Sequence, residues 1–420
     1  MGRTTSERAH ALFARIRAID GRLRCYVAVD EDAVLREAAR LDAIAPDARG
    51  PLHGLTLGVK DIIDVAGLPT RAGSSFFRRD PVRDAPVVAA LRAAGALVVG
   101  KTNTHEFAWG VTTENPHFGR TANPWDERRI PGGSSGGSGA AVAAGLCDIA
   151  LGTDTLGSIR IPAALNGISG VRPATGALAI DDIFPLAVGL DSVGPMAREI
   201  VMVQRAYEVL AGGPVGAVTV RRACRLRGGR WDRVDPAVTA ALDDAAAALR
   251  GAGVVVDDVS WWDDELVGAV AVVQQRAAAR VHEPLYAAHR DEYGPDVRAR
   301  VAHALGVGET EERDARTVIA SARSSWNAAT NGYEIALAPS AGSEAPISPA
   351  PPTFRDDTIP LVTPASAFGL PVAAVPIGVG AAGMPLGMQA IALGGDVAAG
   401  FGIARLYQHL TGWHLRVPPG

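Results

Sequence analysis

One segment of the chain constrains its fold and its chemistry more than any other. Residues 131–162 read PGGSSGGSGAAVAAGLCDIALGTDTLGSIRIP, and the eight residues after Pro131 are five glycines and three serines. Glycine permits positive φ values and a close approach of the backbone to its neighbours. We therefore expect residues 132–139 to form a shaped loop that holds its serines in defined positions.

The rest of this segment predicts a short run of regular structure between two loops. Residues 140–145 are small and apolar, as in a short helix, and residues 149–151 have the composition of a brief buried strand. Residues 152–160 then predict a second loop, which delivers Ser158 beside the first. Ser134 and Ser158, one from each loop, are 24 positions apart.

Three other interpretations of the glycine run are weaker. A flexible linker has this composition, but a linker is not followed at once by an apolar helix and a strand. A phosphate-binding loop needs GxxxxGK[ST], or GxGxxG after a strand with an acidic residue about twenty positions later, and this segment contains neither. Close packing alone explains the glycines but not the serines.

A lysine upstream adds a third reactive group. Lys60 follows the apolar stretch 55–59 within the sequence Gly-Val-Lys-Asp. A lysine at the end of a strand is usually solvated, but one that is buried beside two loop serines has a different chemistry. Burial disfavours the ammonium form, so such a lysine can lose its proton and act as a base.

In order and spacing these motifs resemble the amidase signature family of serine hydrolases. The chain has GVKD at 58–61, GGSSGGS at 132–138 and DTLGSIR at 154–160. Further matches to the family extend over nearly the whole chain: PLHG at 51–54, GKTN at 100–103, NPWD at 123–126, GVRP at 170–173, LDSVGP at 190–195, GLP at 369–371 and PLGMQ at 385–389.

The expected fold is a single large α/β domain. Helical patterns alternate with short apolar strands, which indicates a mixed or parallel sheet covered by helices on both faces, and the resemblance implies the amidase signature fold with a central mixed β-sheet. We expect one domain over residues 1–420, with a motif core at about 51–200 and a more variable helical region at about 235–330. Residues 338–364, rich in proline and serine, predict an irregular connection.

The resemblance also implies roles for individual residues. Ser158 is the implied nucleophile, and Ser134, preceded by a cis peptide bond, passes a proton between Ser158 and Lys60. The implied supporting groups are the backbone amides of Thr155, Leu156, Gly157 and Ser158, which form an oxyanion hole, and the network residues Ser135, Asp154 and Arg160. The residues expected near the substrate are Trp109, Thr112, Thr113 and Phe184.

One position departs from the family pattern. The family usually has a glycine where this chain has Leu156. A side chain at this position enters the turn whose amides are expected to form the oxyanion hole. We therefore expect Leu156 to narrow the space for the acyl group.

Composition argues against several other functions. The formal net charge of −4 provides no basic surface for nucleic acid. Cys25, Cys147 and Cys224 are scattered, without the spacing of a disulfide framework or a zinc site, which fits the reducing cytoplasm. The sequence has no apolar run of about eighteen residues and starts MGRTTSERAH, so we expect neither a membrane span nor a signal peptide. We expect no metal and no cofactor; the expected partners are a small amide substrate and water, with a homodimer as a compatible assembly.

The sequence therefore predicts a stand-alone amidase that hydrolyses a small carboxamide, or a related C–N bond, through a seryl acyl-enzyme. An alternative within the family is the glutaminase subunit of a tRNA-dependent amidotransferase, which works with partner subunits. A third hypothesis, from a different class, is a non-catalytic interaction protein on the same fold. The reactive residue types at all three positions argue against the last.

Overall fold

Eleven β-strands run through the computed structural model, which describes residues 3–419. They are β1 (Tyr26–Val29), β2 (Thr56–Lys60), β3 (Leu97–Thr102), β4 (Ile149–Asp154), β5 (Ser169–Arg172), β6 (Ser192–Ala197), β7 (Arg222–Arg227), β8 (Val255–Ser260), β9 (Ile335–Pro339), β10 (Val372–Val379) and β11 (Pro385–Ala392). They form one sheet in the order β1-β3-β2-β4-β6-β5-β10-β11-β9-β7-β8.

Twelve α-helices lie within the same described residues. They are α1 (Thr5–Leu23), α2 (Glu31–Asp42), α3 (Pro86–Ala93), α4 (Gly136–Ala143), α5 (Arg160–Asn166), α6 (Ile200–Leu210), α7 (Pro236–Gly251), α8 (Leu266–His289), α9 (Pro295–Ala304), α10 (Glu309–Ala329), α11 (Pro352–Ala367) and α12 (Val397–Leu410). Of these helices, none is long and apolar enough to span a bilayer.

The sheet is mixed, as the sequence predicts. Strand β2 is parallel to β3 and β4, and β7 is parallel to β8 and β9. The other neighbours, from β4 through β6, β5, β10 and β11 to β9, and β1 beside β3, are antiparallel. Every residue of β2, β4 and β11 is buried, because helices cover both faces of the sheet. The prediction of one large α/β domain is thereby confirmed.

The glycine-rich segment differs from its predicted boundaries. Helix α4 begins at Gly136, four residues before the predicted start, and β4 continues to Asp154. Glycine is a poor helix former, but the amide of Gly136 donates to the hydroxyl of Thr113, and the amide of Gly139 donates to the carbonyl of Ser135. Burial and these bonds override the local preference, so the loop around Ser134 is shorter than expected.

The prediction of an irregular connection at 338–364 is wrong for residues 352–364. Residues 352–367 form α11 although Pro360 and Pro364 lie inside it. Internal prolines remove backbone donors and usually break a helix. Here the buried side chains of Gln389 and Arg160 donate to the helix carbonyls of Leu361 and Val362, so tertiary contacts stabilise a helix that its own sequence disfavours.

A close contact in the sheet gives a stability prediction. In β6, a Cβ atom added to Gly194 would lie 2.1 Å from the carbonyl oxygen of Val171. We expect Gly194→Ala to lower the free energy of unfolding by about 2–3 kcal/mol, because a packed backbone must shift. The matched control is Gly268→Ala in α8, where no atom lies within 4 Å and alanine should stabilise the helix by about 1 kcal/mol. Thermal midpoints that move in the same direction would contradict this.

Candidate active site

Lys60 is the last residue of β2 and is fully buried. Its strand lies between β3 and β4 in the interior of the sheet, so the side chain does not reach solvent. The amine Nζ donates to Ser134 Oγ at 2.8 Å and to Thr153 Oγ1 at 2.8 Å. The structure therefore brings Lys60 and Ser134 into direct contact, and Thr153 provides a second hydroxyl.

The environment of Lys60 favours its neutral form. Burial lowers the pKa of Lys60 from its usual value near 10.5 to about 7, and the negative charges of Asp191 and Asp154 oppose this shift. An amine with a pKa of about 7 is partly unprotonated at neutral pH. It can therefore accept a proton from a hydroxyl group in contact with it.

Hydrogen bonds and close contacts of its own backbone hold the loop around Ser134 in place. The peptide bond between Gly133 and Ser134 is cis, as the resemblance implies. The carbonyl of Ser134 accepts hydrogen bonds from the amide of His105 at 3.2 Å and from Thr104 Oγ1 at 3.0 Å. A Cβ atom at Gly133 would lie 2.7 Å from the amide nitrogen of Thr112, so only glycine fits there without a shift of the backbone.

Ser158 lies on the short turn between β4 and α5. Its carbonyl accepts a hydrogen bond from the amide of Ser135 at 3.2 Å, which places this turn against the Ser134 loop. Within residues 3–419 the Ser158 hydroxyl makes no hydrogen bond. The structure thus brings the two serine loops together but shows no bond between Ser134 Oγ and Ser158 Oγ.

The turn before Ser158 carries unpaired amides. Within the described part of the chain the backbone N–H groups of Thr155, Leu156 and Ser158 have no acceptor. The amide of Gly157 donates to Asp154 Oδ1 at 2.8 Å. The expected set of oxyanion donors therefore narrows to three, because Gly157 is engaged by a carboxylate.

Asp154 and two arginines hold this turn. All three side chains are fully buried; Arg160 donates to Asp154 through Nε and Nη2 at 3.0 Å each, and Arg172 donates to the carbonyl of Asp154. Burial alone would raise the pKa of Asp154, but the charges of Arg160 and Arg172 hold it well below its usual range. The carboxylate therefore stays charged and fixes the turn.

Ser135 has a supporting contact of its own. Its hydroxyl donates to the carbonyl of Thr153 at 3.2 Å and accepts from the amide of Thr153 at 3.3 Å. Because Thr153 also contacts Lys60, Ser135 joins the glycine loop to the strand that faces the lysine.

Two of the residues expected near the substrate belong to an aromatic cluster. Trp109 and Phe184 are buried, and both lie within 6 Å of the His282 ring, at centroid distances of 5.8 and 5.9 Å. Phe184 also lines a small cavity together with Thr153 and Asp191. Phe184 therefore borders the site on the side of Thr153, which contacts Lys60.

The two threonines have structural contacts instead. Thr113 Oγ1 donates to the carbonyl of Gly132 at 2.8 Å, so its hydroxyl shapes the glycine loop and is not free for a substrate. Thr112 Oγ1 lies 3.4 Å from Nδ1 of His105. Both residues lie beside the Ser134 loop, but neither presents an unused hydroxyl.

The sequence does not indicate the supporting contacts of several residues around the site. Thr153 contacts Lys60 only because it occupies the adjacent strand. Arg160 also donates to Gln389 at 2.8 Å and to Ser366 at 2.6 Å. The GVRP and PLGMQ motifs contain Arg172 and Gln389, so the family pattern marks these positions without revealing that they hold the turn.

The fold and the site together define a class of enzyme, a hydrolase of amide and related C–N bonds. The model of the family described as Amidase matches residues 7–396. The chain belongs to this family, the amidase signature family.

The matches to relatives cover nearly the whole chain. The A subunit of glutamyl-tRNA(Gln) amidotransferase from Roseiflexus sp. (strain RS-1) is 34% identical, and the match covers 99% of this chain and 95% of the relative. A crystal structure of an amidase has a TM-score of 0.92 at 32% identity, covering 98% and 97%. The A subunit of glutamyl-tRNA(Gln) amidotransferase from Thermotoga maritima has a TM-score of 0.80 at 26% identity, covering 96% and 91%.

The lowered pKa of Lys60 predicts how activity depends on pH. Protonated Lys60 cannot accept a proton, so kcat/KM for an amide should rise with pH and reach a plateau above about 7. In Asp191→Asn a negative charge that raises the pKa of Lys60 is removed, and the midpoint should move to lower pH. A profile that is flat between pH 5 and 9, roughly the range over which such an amine titrates, would contradict a role for this amine.

Proposed function

We propose that this enzyme hydrolyses a carboxamide through a covalent ester on Ser158. The observation that carries the proposal is the buried hydrogen bond between Lys60 and Ser134, 2.8 Å long. It joins an amine whose pKa is near neutrality to a hydroxyl on the loop that faces Ser158. Such a pair can activate a serine without a histidine.

The proposed reaction uses the proton relay between Ser158, Ser134 and Lys60 in both directions. When Ser158 Oγ attacks the amide carbon, its proton passes to Ser134 Oγ, and the proton of Ser134 passes to neutral Lys60. The relay then reverses and protonates the amide nitrogen as the C–N bond breaks. Water repeats the cycle on the ester and releases the acid. The described residues show no hydrogen bond between Ser134 Oγ and Ser158 Oγ in the free enzyme. The relay therefore requires this hydrogen bond to form when substrate binds.

The negative oxygen of the tetrahedral intermediate needs donors. The unpaired amides of Thr155, Leu156 and Ser158 supply them on one turn, and the buried Asp154–Arg160 pair keeps this turn rigid. Donors fixed in advance are effective because they need no reorganisation during the reaction. Leu156 contributes its amide here, while its side chain is buried.

The family offers two biological contexts for this reaction, a glutaminase subunit and a stand-alone amidase. The curated relatives favour the alternative, a glutaminase subunit, over the stand-alone amidase that the sequence predicts, because the A subunit of glutamyl-tRNA(Gln) amidotransferase matches at 34% identity over nearly the full length. The stand-alone amidase stays a second candidate, since the backbone is more similar to a solved amidase than to a solved amidotransferase A subunit, with TM-scores of 0.92 and 0.80.

These two settings predict different substrates. A glutaminase subunit should release ammonia from L-glutamine, and the other subunits of the amidotransferase should increase the rate. Ammonia release is measured with the purified chain, using Ser158→Ala as the control that lacks the nucleophile. Hydrolysis of simple amides such as hexanamide, with none of glutamine even when the other subunits are added, would contradict the glutaminase setting.

The relay predicts a larger effect of Lys60 on amides than on esters. An amine leaves only after its nitrogen is protonated, whereas p-nitrophenolate leaves as an anion. Lys60→Ala therefore removes two proton transfers from amide cleavage and one from cleavage of the p-nitrophenyl ester. General acid–base assistance is worth roughly 10²- to 10⁴-fold, so kcat/KM should fall at least about tenfold more for the amide.

The comparison uses an amide and an aryl ester of the same acyl group. Ser158→Ala should lose both activities, because it removes the nucleophile itself. Equal losses in Lys60→Ala would show that Lys60 serves only the attack step, and an unchanged amide rate would remove it from the reaction.

A further inference from the structure

The peptide unit between Asp154 and Thr155 joins β4 to the turn that carries Ser158. Within residues 3–419 its N–H group has no acceptor, and it is one of the proposed oxyanion donors. Its C=O group accepts a hydrogen bond from Nη1 of Arg172. A trans peptide unit is planar, so its N–H and C=O groups point in opposite directions. A contact that fixes the carbonyl of Asp154 therefore also fixes the direction of the Thr155 N–H.

Arg172 holds this carbonyl with a side chain that is both fixed and charged. It is fully buried at the end of β5, and its Nη2 atom donates to the carbonyl of Leu190 at 3.0 Å and to Thr175 Oγ1 at 2.9 Å. Burial lowers the pKa of Arg172 to about 10, and the charge of Asp154 opposes this shift. The guanidinium therefore stays positive at neutral pH. Because hydrogen bonds in a chain polarise one another, this cation makes the Thr155 N–H a stronger donor.

The pairing of β4 with β6 brings a carboxylate to the side chain of Thr155. In this antiparallel pair Asp154 lies opposite Ser192, so the next residues outward, Thr155 and Asp191, face each other. Side chains of directly opposed residues lie on the same face of a sheet. The hydroxyl of Thr155 accordingly donates to Asp191 Oδ1 at 2.6 Å. The strand register thus explains why these two side chains meet.

Asp191 is itself held in place by backbone donors. Its Oδ2 atom accepts hydrogen bonds from the amides of Leu186 and Ala187, at 2.9 Å each. Burial raises the pKa of Asp191, and the hydrogen bonds from Thr155, Ala187 and Leu186 oppose this rise. A carboxylate that accepts from two backbone amides and one hydroxyl cannot move without breaking several of these bonds. Asp191 is therefore a fixed anchor for the Thr155 side chain.

We propose that Arg172 and Asp191 are positioning residues that aim the Thr155 N–H at the negative oxygen of the tetrahedral intermediate. This inference rests on the proposed hydrolysis at Ser158. Arg172 acts on the carbonyl of the peptide unit, and Asp191 acts on the side chain that follows it. The unit is thereby held from two sides before substrate binds, and neither residue has to touch the substrate. An oxyanion donor held in this way needs no reorganisation during the reaction.

The first test removes the Thr155 hydroxyl and keeps the shape of the side chain. Thr155→Val should lower kcat for hexanamide by about 10- to 100-fold, less than the loss of a whole oxyanion donor, and should leave KM within about twofold of the wild type. Thr155→Ser keeps the hydroxyl and should recover most of the rate. The matched control is Thr411→Val at the end of α12, which removes a threonine hydroxyl bonded to the carbonyl of Tyr407 and should keep wild-type kinetics.

The role of Arg172 is tested in combination with Thr155. Removing the guanidinium altogether would leave the buried charge of Asp154 with one partner fewer, and such a variant can fail to fold, so Arg172→Lys is used. It should lower kcat for hexanamide without raising KM. Because both changes disturb one N–H group, kcat of the double variant should fall by less than the product of the two single effects. Single effects that multiply fully would contradict action on the same N–H.

A further test measures binding without turnover, with pentylboronic acid as the probe. Ser158 Oγ forms a bond to boron, its proton passes to the relay, and a hydroxyl oxygen on the tetrahedral boron occupies the oxyanion position. Calorimetry should show that Thr155→Val weakens this binding by about the factor by which it lowers kcat. Hexanoate has no tetrahedral centre, so its affinity should not change.

The outcomes separate this inference from the proposed function. If boronate binding depends on Thr155 but no amide is hydrolysed, the positioning stands and the proposed hydrolysis fails. If amides are hydrolysed and Thr155→Val keeps the wild-type kcat and boronate affinity, the positioning is wrong. Equal losses of boronate and hexanoate binding would also overturn it, because a general loss of structure would then explain the kinetics. If the wild type neither binds the boronate nor hydrolyses amides, both proposals fail.

Discussion

The burial of Lys60 without a carboxylate partner is the constraint on which the site depends. A second lysine shows the contrast: Lys101, on the adjacent strand β3, is equally buried but pairs with Asp61 at 3.2 Å. Within residues 3–419 the amine of Lys60 hydrogen-bonds only to the hydroxyls of Ser134 and Thr153. An ion pair stabilises a buried ammonium, whereas neutral hydroxyls leave the desolvation cost largely uncompensated. We therefore propose that the same sheet holds one lysine as a structural cation and the other as a base.

The proposed base can act only if the turn that carries Ser158, the proposed nucleophile, stays in place, and a network of charged side chains holds this turn. Asp154 binds Arg160 and Arg172, and Arg160 continues to Gln389 on β11 and to the carbonyl of Val362 on α11. The turn of Ser158 is thereby tied to distant strands and to a helix. Removing one member would leave a buried charge without its partner, so the network acts as a unit.

The sequence indicates the site better than it indicates the elements around it. A lysine at a strand end and two serine loops could be placed together because their motifs occur in a fixed order. Thr153 could not be found, because its role depends on which strand lies next to β2. The sequence also did not predict that α4 starts at Gly136 or that α11 continues through Pro360. In both helices, buried hydrogen bonds from distant residues override local propensity.

Two parts of the chain meet beside the Ser134 loop. The motif-rich part contributes residues 105–113, and the helical region contributes the start of α9. Two contacts join these parts: His105 with Asp296, and the carboxylate of Glu106 with the amide of Gly294 at 2.9 Å. We infer that residues at the start of α9 can change without disturbing Lys60, because the joining contacts lie between the two regions and do not include the hydrogen bonds of Lys60.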